Sequence, residues 1–220
     1  MTNQNEIKKN VALSAAKAIM NERVIGVGTG TTVNYFIEAL SKLPHQIECT
    51  VASSEATKLK LEENGFPTEE LNTVGNFDIY VDGADEATKF GYLIKGGGGA
   101  LTQEKILASV CKKFICIIDD SKLVGSLGQF PLPVEVIPVS RSAVARKIVE
   151  LGGIPKWRIG FVTDNNNWIL DIQGLKITNC AELEVMLNNI PGIVTNGIFA
   201  ANKADLLYVG DSHGVKIIDC

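Results

Sequence analysis

The chain has 220 residues, of which 45% are hydrophobic and 21% are charged, as in an ordinary soluble globular protein. The formal net charge is −4, which argues against a general nucleic-acid binder because such proteins usually carry a basic face. No apolar run approaches the roughly 18 residues that a bilayer span needs. Residues 1–6 lack the basic-then-apolar order of a signal peptide. We therefore predict a cytoplasmic protein without nucleic-acid or membrane partners.

The cysteines and histidines do not predict a disulfide framework, a metal site or a Ser-His-Asp triad. The five cysteines show no CxxC spacing, so we expect free thiols. Neither of the two histidines pairs with another metal-type residue at ligand spacing. Glycine, by contrast, accounts for 21 of the 220 residues, above the average of about 7%. The cysteines and histidines are Cys49, Cys111, Cys116, Cys180, Cys220, His45 and His213.

The first half of the chain alternates apolar strands with helices that have an apolar face. Such alternation predicts parallel βαβ units. The predicted strands are residues 24–27, 49–52, 77–81, 92–94 and 113–118. The predicted helices are residues 6–23, a segment containing Phe36, Ile37 and Leu40, residues 55–64 and residues 101–111.

The order of elements changes after Gly128 to strand–helix–strand–strand–helix–strand, the ferredoxin-like pattern. Two short strands follow, at 206–209 and 215–218, and we expect the first of them to rejoin the parallel sheet. The ferredoxin-like unit would then be an insertion. Its predicted strands are 134–139, 158–163, 168–172 and 192–199, and its predicted helices are 140–151 and 181–189. The predicted division is a first domain at 1–128, an inserted lobe at 129–203, and a return to the first domain at 204–220.

Four polar or glycine-rich clusters each follow a predicted strand. Ligands of open parallel sheets bind beyond the carboxyl ends of the strands. We therefore expect all four clusters to line one crevice, and this convergence carries more weight than any single motif. The clusters are residues 26–32, 82–86, 95–105 and 119–122.

The first cluster is a strand-to-helix turn rich in glycine and threonine. Free N–H groups at a helix N-terminus favour an anion. The turn is not a Walker A loop, because no Gly-Lys-Thr follows, and Thr31 stands where a dinucleotide fingerprint needs Gly or Ala. A monophosphate is the favoured ligand, and glycines for a tight turn alone remain the alternative.

The second and fourth clusters carry charge. Asp82 and Asp85 lie three residues apart on a turn, and paired carboxylates suit hydroxyl recognition and proton transfer. Lys122 follows a strand end, where its ammonium can pair with a phosphate. Taken alone, each cluster is better explained as a solvated loop.

The third cluster contains four successive glycines, residues 96–99, which cost backbone entropy and so favour a special conformation close to a ligand. Lys95 precedes them, where its ammonium can stabilise a developing oxyanion. We expect Leu101 and Ile106 to face the core, which leaves Glu104 a route to the crevice. The alternative is that Glu104 only complements the helix dipole.

Together these residues resemble the ribose-5-phosphate isomerase A family. The closest motifs are VDGADE at 81–86, KGGGxALTxEK at 95–105 and DSK at 120–122, and further similarity is found in GTGTT at 28–32, SSEA at 53–56 and IPGIVxNG at 190–197. The resemblance covers essentially the whole chain in order. It implies an α/β fold, with a Rossmann-like parallel-sheet domain and an inserted ferredoxin-like α+β lobe.

The resemblance also implies an activity, the interconversion of D-ribose 5-phosphate and D-ribulose 5-phosphate in the pentose phosphate pathway, without metal or organic cofactor. It suggests a homodimer or a dimer of dimers. By matching motif, Glu104 is the catalytic base, Lys95 stabilises the enediolate, and Asp82 and Asp85 contact sugar hydroxyls and assist ring opening. Lys8 is a weaker match to a lysine near the phosphate. The implied substrate-binding residues are Thr29, Gly30, Thr31, Thr32, Gly83, Ala84, Gly96, Gly97, Gly98 and Lys122.

The chain departs from the family pattern at three places, and three rival functions each lack a feature that they would need. Gly99 stands where the family often has Ala, residues 87–88 replace a pair that usually contains an acid, and Asn166 stands where Gly is common. An amino-sugar phosphate deaminase would need a histidine in the crevice, and a hydride-shift isomerase would need a metal cluster. A sugar-phosphate sensor would need a helix-turn-helix extension, for which the segment before Val24 is too short.

Overall fold

The computed structural model describes residues 4–220. Residues 1–3, which belong to the segment compared above with a signal peptide, lie outside this range. The helices are α1 (Gln4–Ile19), α2 (Thr31–Leu40), α3 (Glu55–Glu63), α4 (Leu71–Val74), α5 (Leu101–Val110), α6 (Arg141–Glu150) and α7 (Cys180–Asn188). The strands are β1 (Val24–Val27), β2 (Cys49–Ala52), β3 (Phe77–Asp82), β4 (Glu86–Ala87), β5 (Leu93–Ile94), β6 (Cys111–Asp119), β7 (Leu132–Val136), β8 (Ile154–Trp157), β9 (Trp168–Gln173), β10 (Ile193–Asn196), β11 (Ile198–Phe199), β12 (Leu206–Asp211) and β13 (Gly214–Asp219). None of the helices described is both long and apolar enough to span a membrane.

A six-stranded sheet forms the first unit, with the order β13-β12-β6-β3-β1-β2. Every neighbouring pair is parallel except β12 with β13. The apolar faces of α1 and α2 pack on one side of the sheet, and Leu107 and Ala108 of α5 pack on the other. The predicted α/β class with a central parallel sheet is confirmed, and β1 and β2 have the predicted bounds.

The second unit is a four-stranded antiparallel sheet with the order β10-β7-β9-β8. Buried side chains of α6 and α7 join the core of this sheet, so the β7-α6-β8-β9-α7-β10 sequence has ferredoxin-like topology. After β11 the chain returns to the first sheet, where β12 pairs in parallel with β6. The domain limits at residues 128 and 203 remain a proposal.

The predicted strand at residues 158–163 is wrong, because the strand ends at Trp157 and the following residues have no regular structure. Ile159 and Val162, whose apolar character suggested a strand, are exposed. The segment instead turns toward the first unit, where Phe161 contacts Gly99 so closely that a Cβ there would lie 2.2 Å from the ring. A tertiary contact therefore overrides the local apolar pattern.

The predicted single strand at 192–199 is also wrong, because it divides into β10 and β11 at Gly197. The Lys95 N–H donates to the Gly197 carbonyl at 2.9 Å, and a Cβ on Gly197 would lie 2.3 Å from the Lys95 carbonyl oxygen. β11 consequently leaves the lobe sheet and pairs with β5, in a small sheet ordered β11-β5-β4. This small sheet places Lys95 between the two units.

Candidate active site

A cavity of about 190 Å³ lies beyond the carboxyl ends of β1, β3 and β6, and beside β5. All four clusters singled out in the sequence contribute to its wall. Three of them follow strands of the parallel sheet, as predicted, whereas the cluster at 95–105 follows β5, which pairs antiparallel with β4 and β11. The lining residues are Lys8, Thr29, Gly30, Thr31, Thr32, Val33, Gly83, Ala84, Asp85, Lys95, Gly96, Gly97, Gly98, Glu104, Ile117, Ile118, Asp119 and Lys122. Asp82 is the one predicted site residue that does not line the cavity.

One end of the cavity is formed by the N-terminus of α2. Gly30 precedes the helix with φ of 126°, a backbone conformation that favours glycine, and the first turn of the helix carries no acidic residue. Lys8 and Lys122 line the same cavity, and the Lys8 Nζ lies 3.4 Å from the Thr31 hydroxyl. Free N–H groups, the helix dipole and the lysines all favour an anion here.

The Thr29 hydroxyl takes part in a cluster of hydroxyl groups. Its Oγ1 lies 2.8 Å from the Ser53 Oγ, 2.9 Å from the Ser54 Oγ and 3.1 Å from the Thr57 Oγ1. Ser54 also caps α3 by accepting from the Thr57 N–H, which agrees with the predicted start of this helix. The cluster fixes the β1–α2 turn to the α3 N-terminus.

Asp82 is fully buried, and protein groups contact both of its carboxylate oxygens. Its Oδ1 accepts the backbone N–H groups of Thr29 (3.0 Å) and Gly83 (2.7 Å). Its Oδ2 accepts the Tyr80 hydroxyl and lies 2.7 Å from the Lys95 Nζ. A Cβ on Gly28 would lie 1.8 Å from the Asp82 Cγ, so a glycine is required for this close approach.

Lys95 joins this buried carboxylate to the cavity. Its side chain is 2% exposed, and its Nζ donates to the Gly83 carbonyl at 2.7 Å in addition to the Asp82 contact. Burial lowers the pKa of Lys95, but the negative charges of Asp82 and Glu104 outweigh burial and raise the pKa above its ordinary value. The group is therefore an ammonium at neutral pH.

Glu104 lies in the first turn of α5 and is also buried. Its Oε2 lies 3.4 Å from the Lys95 Nζ and has no hydrogen-bond partner among residues 4–220. Burial raises the pKa of Glu104 to about 8, and the charges of Asp82 and Asp85 add to the rise while Lys95 opposes it. A poorly solvated carboxylate with a raised pKa is a good proton acceptor.

The helix face that carries Glu104 differs in part from the prediction. Leu101 is buried as expected, but Ile106 is 45% exposed. Leu107 and Ala108 occupy the core positions instead. Glu104 reaches the cavity because it follows Leu101 by three residues and shares its inward face.

Asp85 lines the cavity and is half-buried. The Gly97 N–H donates to its Oδ2 at 2.8 Å, and a Cβ on Gly97 would lie 2.5 Å from its Oδ1. The carboxylate is therefore held against the glycine-rich turn, within the same cavity as Glu104.

The family model of ribose 5-phosphate isomerase A (phosphoriboisomerase A) matches residues 49–214, which is most of the chain. The chain belongs to the ribose-5-phosphate isomerase A family. It is an isomerase of D-ribose 5-phosphate and D-ribulose 5-phosphate, an activity of the pentose phosphate pathway. The family identity agrees with the motifs singled out in the sequence.

Individual relatives support the family over the full length. Ribose-5-phosphate isomerase A of Blochmanniella pennsylvanica is 51% identical over 98% of this chain and 99% of its own. The crystal structure of ribose 5-phosphate isomerase A from Neisseria gonorrhoeae is 44% identical, covers 100% of this chain and 98% of its own, and superposes with a TM-score of 0.98. The Methanocaldococcus jannaschii enzyme is 38% identical, covers 99% of this chain and 100% of its own, and has a TM-score of 0.93.

Two side chains outside the motifs contact groups of this isomerase site and were not predicted from the sequence. Tyr80 is fully buried and donates to Asp82; its position two residues before Asp82 on one strand places both on the same face and was a usable signal. Arg158 contacts the glycine-rich turn from the inserted lobe, and the wrong strand assignment concealed it. Neither His45 nor His213 lines the cavity, as expected.

Proposed function

We propose that this isomerase transfers the proton through an enediolate, with Glu104 as the base. The observation that carries the proposal is the buried Glu104 carboxylate, whose Oε2 lies 3.4 Å from the Lys95 ammonium and has no hydrogen-bond partner among residues 4–220. The pKa of Glu104 is raised to about 8. A general base is most effective when its pKa is close to the operating pH.

The proposed steps balance without an added reactant. Glu104 takes the proton from C2 of the open-chain aldose, and the C–H electron pair forms the C1–C2 double bond as O1 becomes an oxyanion. Lys95 and backbone N–H groups of the glycine-rich turn stabilise this charge. The Glu104 carboxylic acid then returns the proton to C1, while the O2 proton passes to O1 and leaves a ketone at C2.

Different roles are proposed for the two aspartates. Asp85 lines the cavity, which supports its contact with sugar hydroxyls and its help in ring opening. Asp82 does not line the cavity and contacts Lys95 directly. We therefore favour a role for Asp82 through Lys95, in place of the sugar contact that the motif implied.

The phosphate is proposed to bind at the α2 N-terminus, with Gly30, Thr31, Thr32, Lys122 and Lys8. The free helix N-terminus and the two lysines in one cavity support this placement. A D-ribose-5-phosphate isomerase that is 38% identical and has a TM-score of 0.95 was solved in complex with phospho-erythronic acid. A phosphorylated ligand in that relative fits an anion site in this chain.

Isomerisation in D₂O tests the enediolate route. Deuterium from the solvent should appear at C1 of ribulose 5-phosphate and at C2 of recovered ribose 5-phosphate, because the proton on Glu104 exchanges between removal and return. Mass spectrometry after many turnovers detects even slow exchange. Product that stays free of deuterium throughout would support a hydride shift instead.

The pH dependence tests the state of Glu104. Below the raised pKa of about 8 the carboxyl is protonated and cannot accept the C2 proton, so kcat/KM should rise with pH and level off above that value. Asp85→Asn removes a charge that raises the pKa of Glu104, so the rising limb should move to lower pH. A profile that stays flat across neutral pH would contradict the assignment.

We also propose a cytoplasmic location and a homodimer or dimer of dimers. The location rests on the composition and on the family's metabolic role.

The proposed oligomer agrees with the surface of the inserted lobe. Several apolar side chains of the lobe are exposed, among them Val139 at 93% and Ile154 at 58%. Association of subunits would cover exposed apolar side chains of this kind.

A further inference from the structure

The glycine-rich turn contacts an arginine of the inserted lobe. The Arg158 Nη1 donates to the Gly97 carbonyl at 3.1 Å, and its Nη2 lies 3.5 Å from the Gly96 carbonyl. The guanidinium is itself fixed by Asp171 through bonds of 2.9 Å from Nε and 2.6 Å from Nη2. Such a two-point pair sets the plane of the guanidinium as well as its charge.

The turn needs support from outside because glycine restricts its own backbone so little. Gly96 and Gly99 adopt φ of 97° and 90°, and one internal bond, from the Gly99 N–H to the Gly96 carbonyl at 2.9 Å, closes the turn. Ordering successive glycines costs more conformational entropy than ordering any other residues. The Arg158 contacts and the packing of Phe161 on Gly99 supply the missing constraint.

The direction of the two carbonyl groups determines what faces the cavity. In a trans peptide unit the C=O and the N–H point in opposite directions. The peptide unit between Gly96 and Gly97 directs the Gly96 carbonyl toward Arg158 and the Gly97 N–H toward Asp85. The peptide unit between Gly97 and Gly98 directs the Gly97 carbonyl toward Arg158. The Gly98 N–H of this unit forms no hydrogen bond within residues 4–220.

We propose that Arg158, held by Asp171, is a positioning residue for the isomerase reaction: it directs the Gly98 N–H toward the oxyanion and the Gly97 N–H toward Asp85. This inference rests on the proposed enediolate mechanism, since the oxyanion is its target. Arg158 acts through the backbone and need not touch the substrate.

The test compares Arg158→Ala with Arg146→Ala, the same substitution at an exposed arginine of α6. Misplacing catalytic groups by about 1 Å can cost about 10²-fold in rate, so kcat of Arg158→Ala should fall by about that factor while KM changes much less. Arg146→Ala should match the wild type. Added guanidinium at a non-denaturing concentration should restore part of the kcat of Arg158→Ala and of no other variant.

A structural role alone predicts a different outcome. Loss of thermal stability with unchanged kcat, or no response to guanidinium, would overturn the proposal. Should Arg158→Ala fail to fold, the isosteric Asp171→Asn decides the question, because it frees the guanidinium and should lower kcat without raising KM in proportion. Glu104→Gln in the same assay separates the two claims. Full activity of Glu104→Gln would exclude Glu104 as the base of the proposed mechanism, whereas full activity of Arg158→Ala would exclude only the positioning role.

Discussion

Glu104→Gln is expected to lower kcat by about 10²–10⁴-fold, the usual contribution of a positioned general base. Glutamine keeps the shape of the side chain in its buried position but cannot accept the C2 proton. The amide also removes a carboxyl whose burial is unfavourable when charged, so the fold should not suffer. Steady-state isomerase kinetics measure the loss.

A control variant and a binding measurement allow the kcat of Glu104→Gln to be interpreted. Glu62→Gln, on an exposed face of α3, should retain wild-type kcat. Calorimetric titration of Glu104→Gln with ribose 5-phosphate should show nearly unchanged affinity, because the phosphate and hydroxyl contacts remain. If Glu104→Gln keeps most of its turnover, another group must be the base and the mechanism proposed above is wrong.

Much of this architecture could be predicted because the signals are local. β1 and β2 are short apolar strands followed by polar turns, and their bounds follow directly from that contrast. The convergence of three of the four clusters follows from topology, since parallel strands bring their carboxyl ends to one edge. The cluster that contains Lys95 and Glu104 follows β5 of the small antiparallel sheet, so the parallel topology alone does not place it.

The features that escaped prediction depend on contacts between distant segments. The segment after Trp157 has a strand-like apolar pattern, but the Arg158 contacts at the glycine-rich turn and the packing of Phe161 determine its path. Gly197 interrupts a continuous apolar run because its backbone contacts that of Lys95. Burial of Asp82 likewise depends on Thr29 and Tyr80, which no motif links to it.

Lys95→Met is expected to reduce both stability and turnover. The Lys95 ammonium compensates the buried charge of Asp82, and in the proposed mechanism it also faces the reacting atoms of the substrate. Removing one partner of a buried ion pair costs about 3–5 kcal/mol of the free energy of unfolding. Asp82, fully buried, would lose its contact with the Lys95 ammonium. Loss of oxyanion stabilisation should in addition lower kcat by about 10²–10³-fold. Denaturant unfolding and steady-state kinetics measure the two effects separately, and Lys147→Met, at an exposed ion pair, should change neither.

The double variant Asp82→Asn with Lys95→Met separates these two effects. It removes both buried charges, and the asparagine oxygen can still accept the Thr29 and Gly83 N–H groups that Asp82 binds. Much of the lost stability should therefore return, since no uncompensated charge remains at this position. Turnover should stay low, because the ammonium that faces the oxyanion is still absent. Recovery of kcat together with stability would mean that Lys95 serves the fold alone, and the oxyanion would then depend on the backbone N–H groups of the glycine-rich turn.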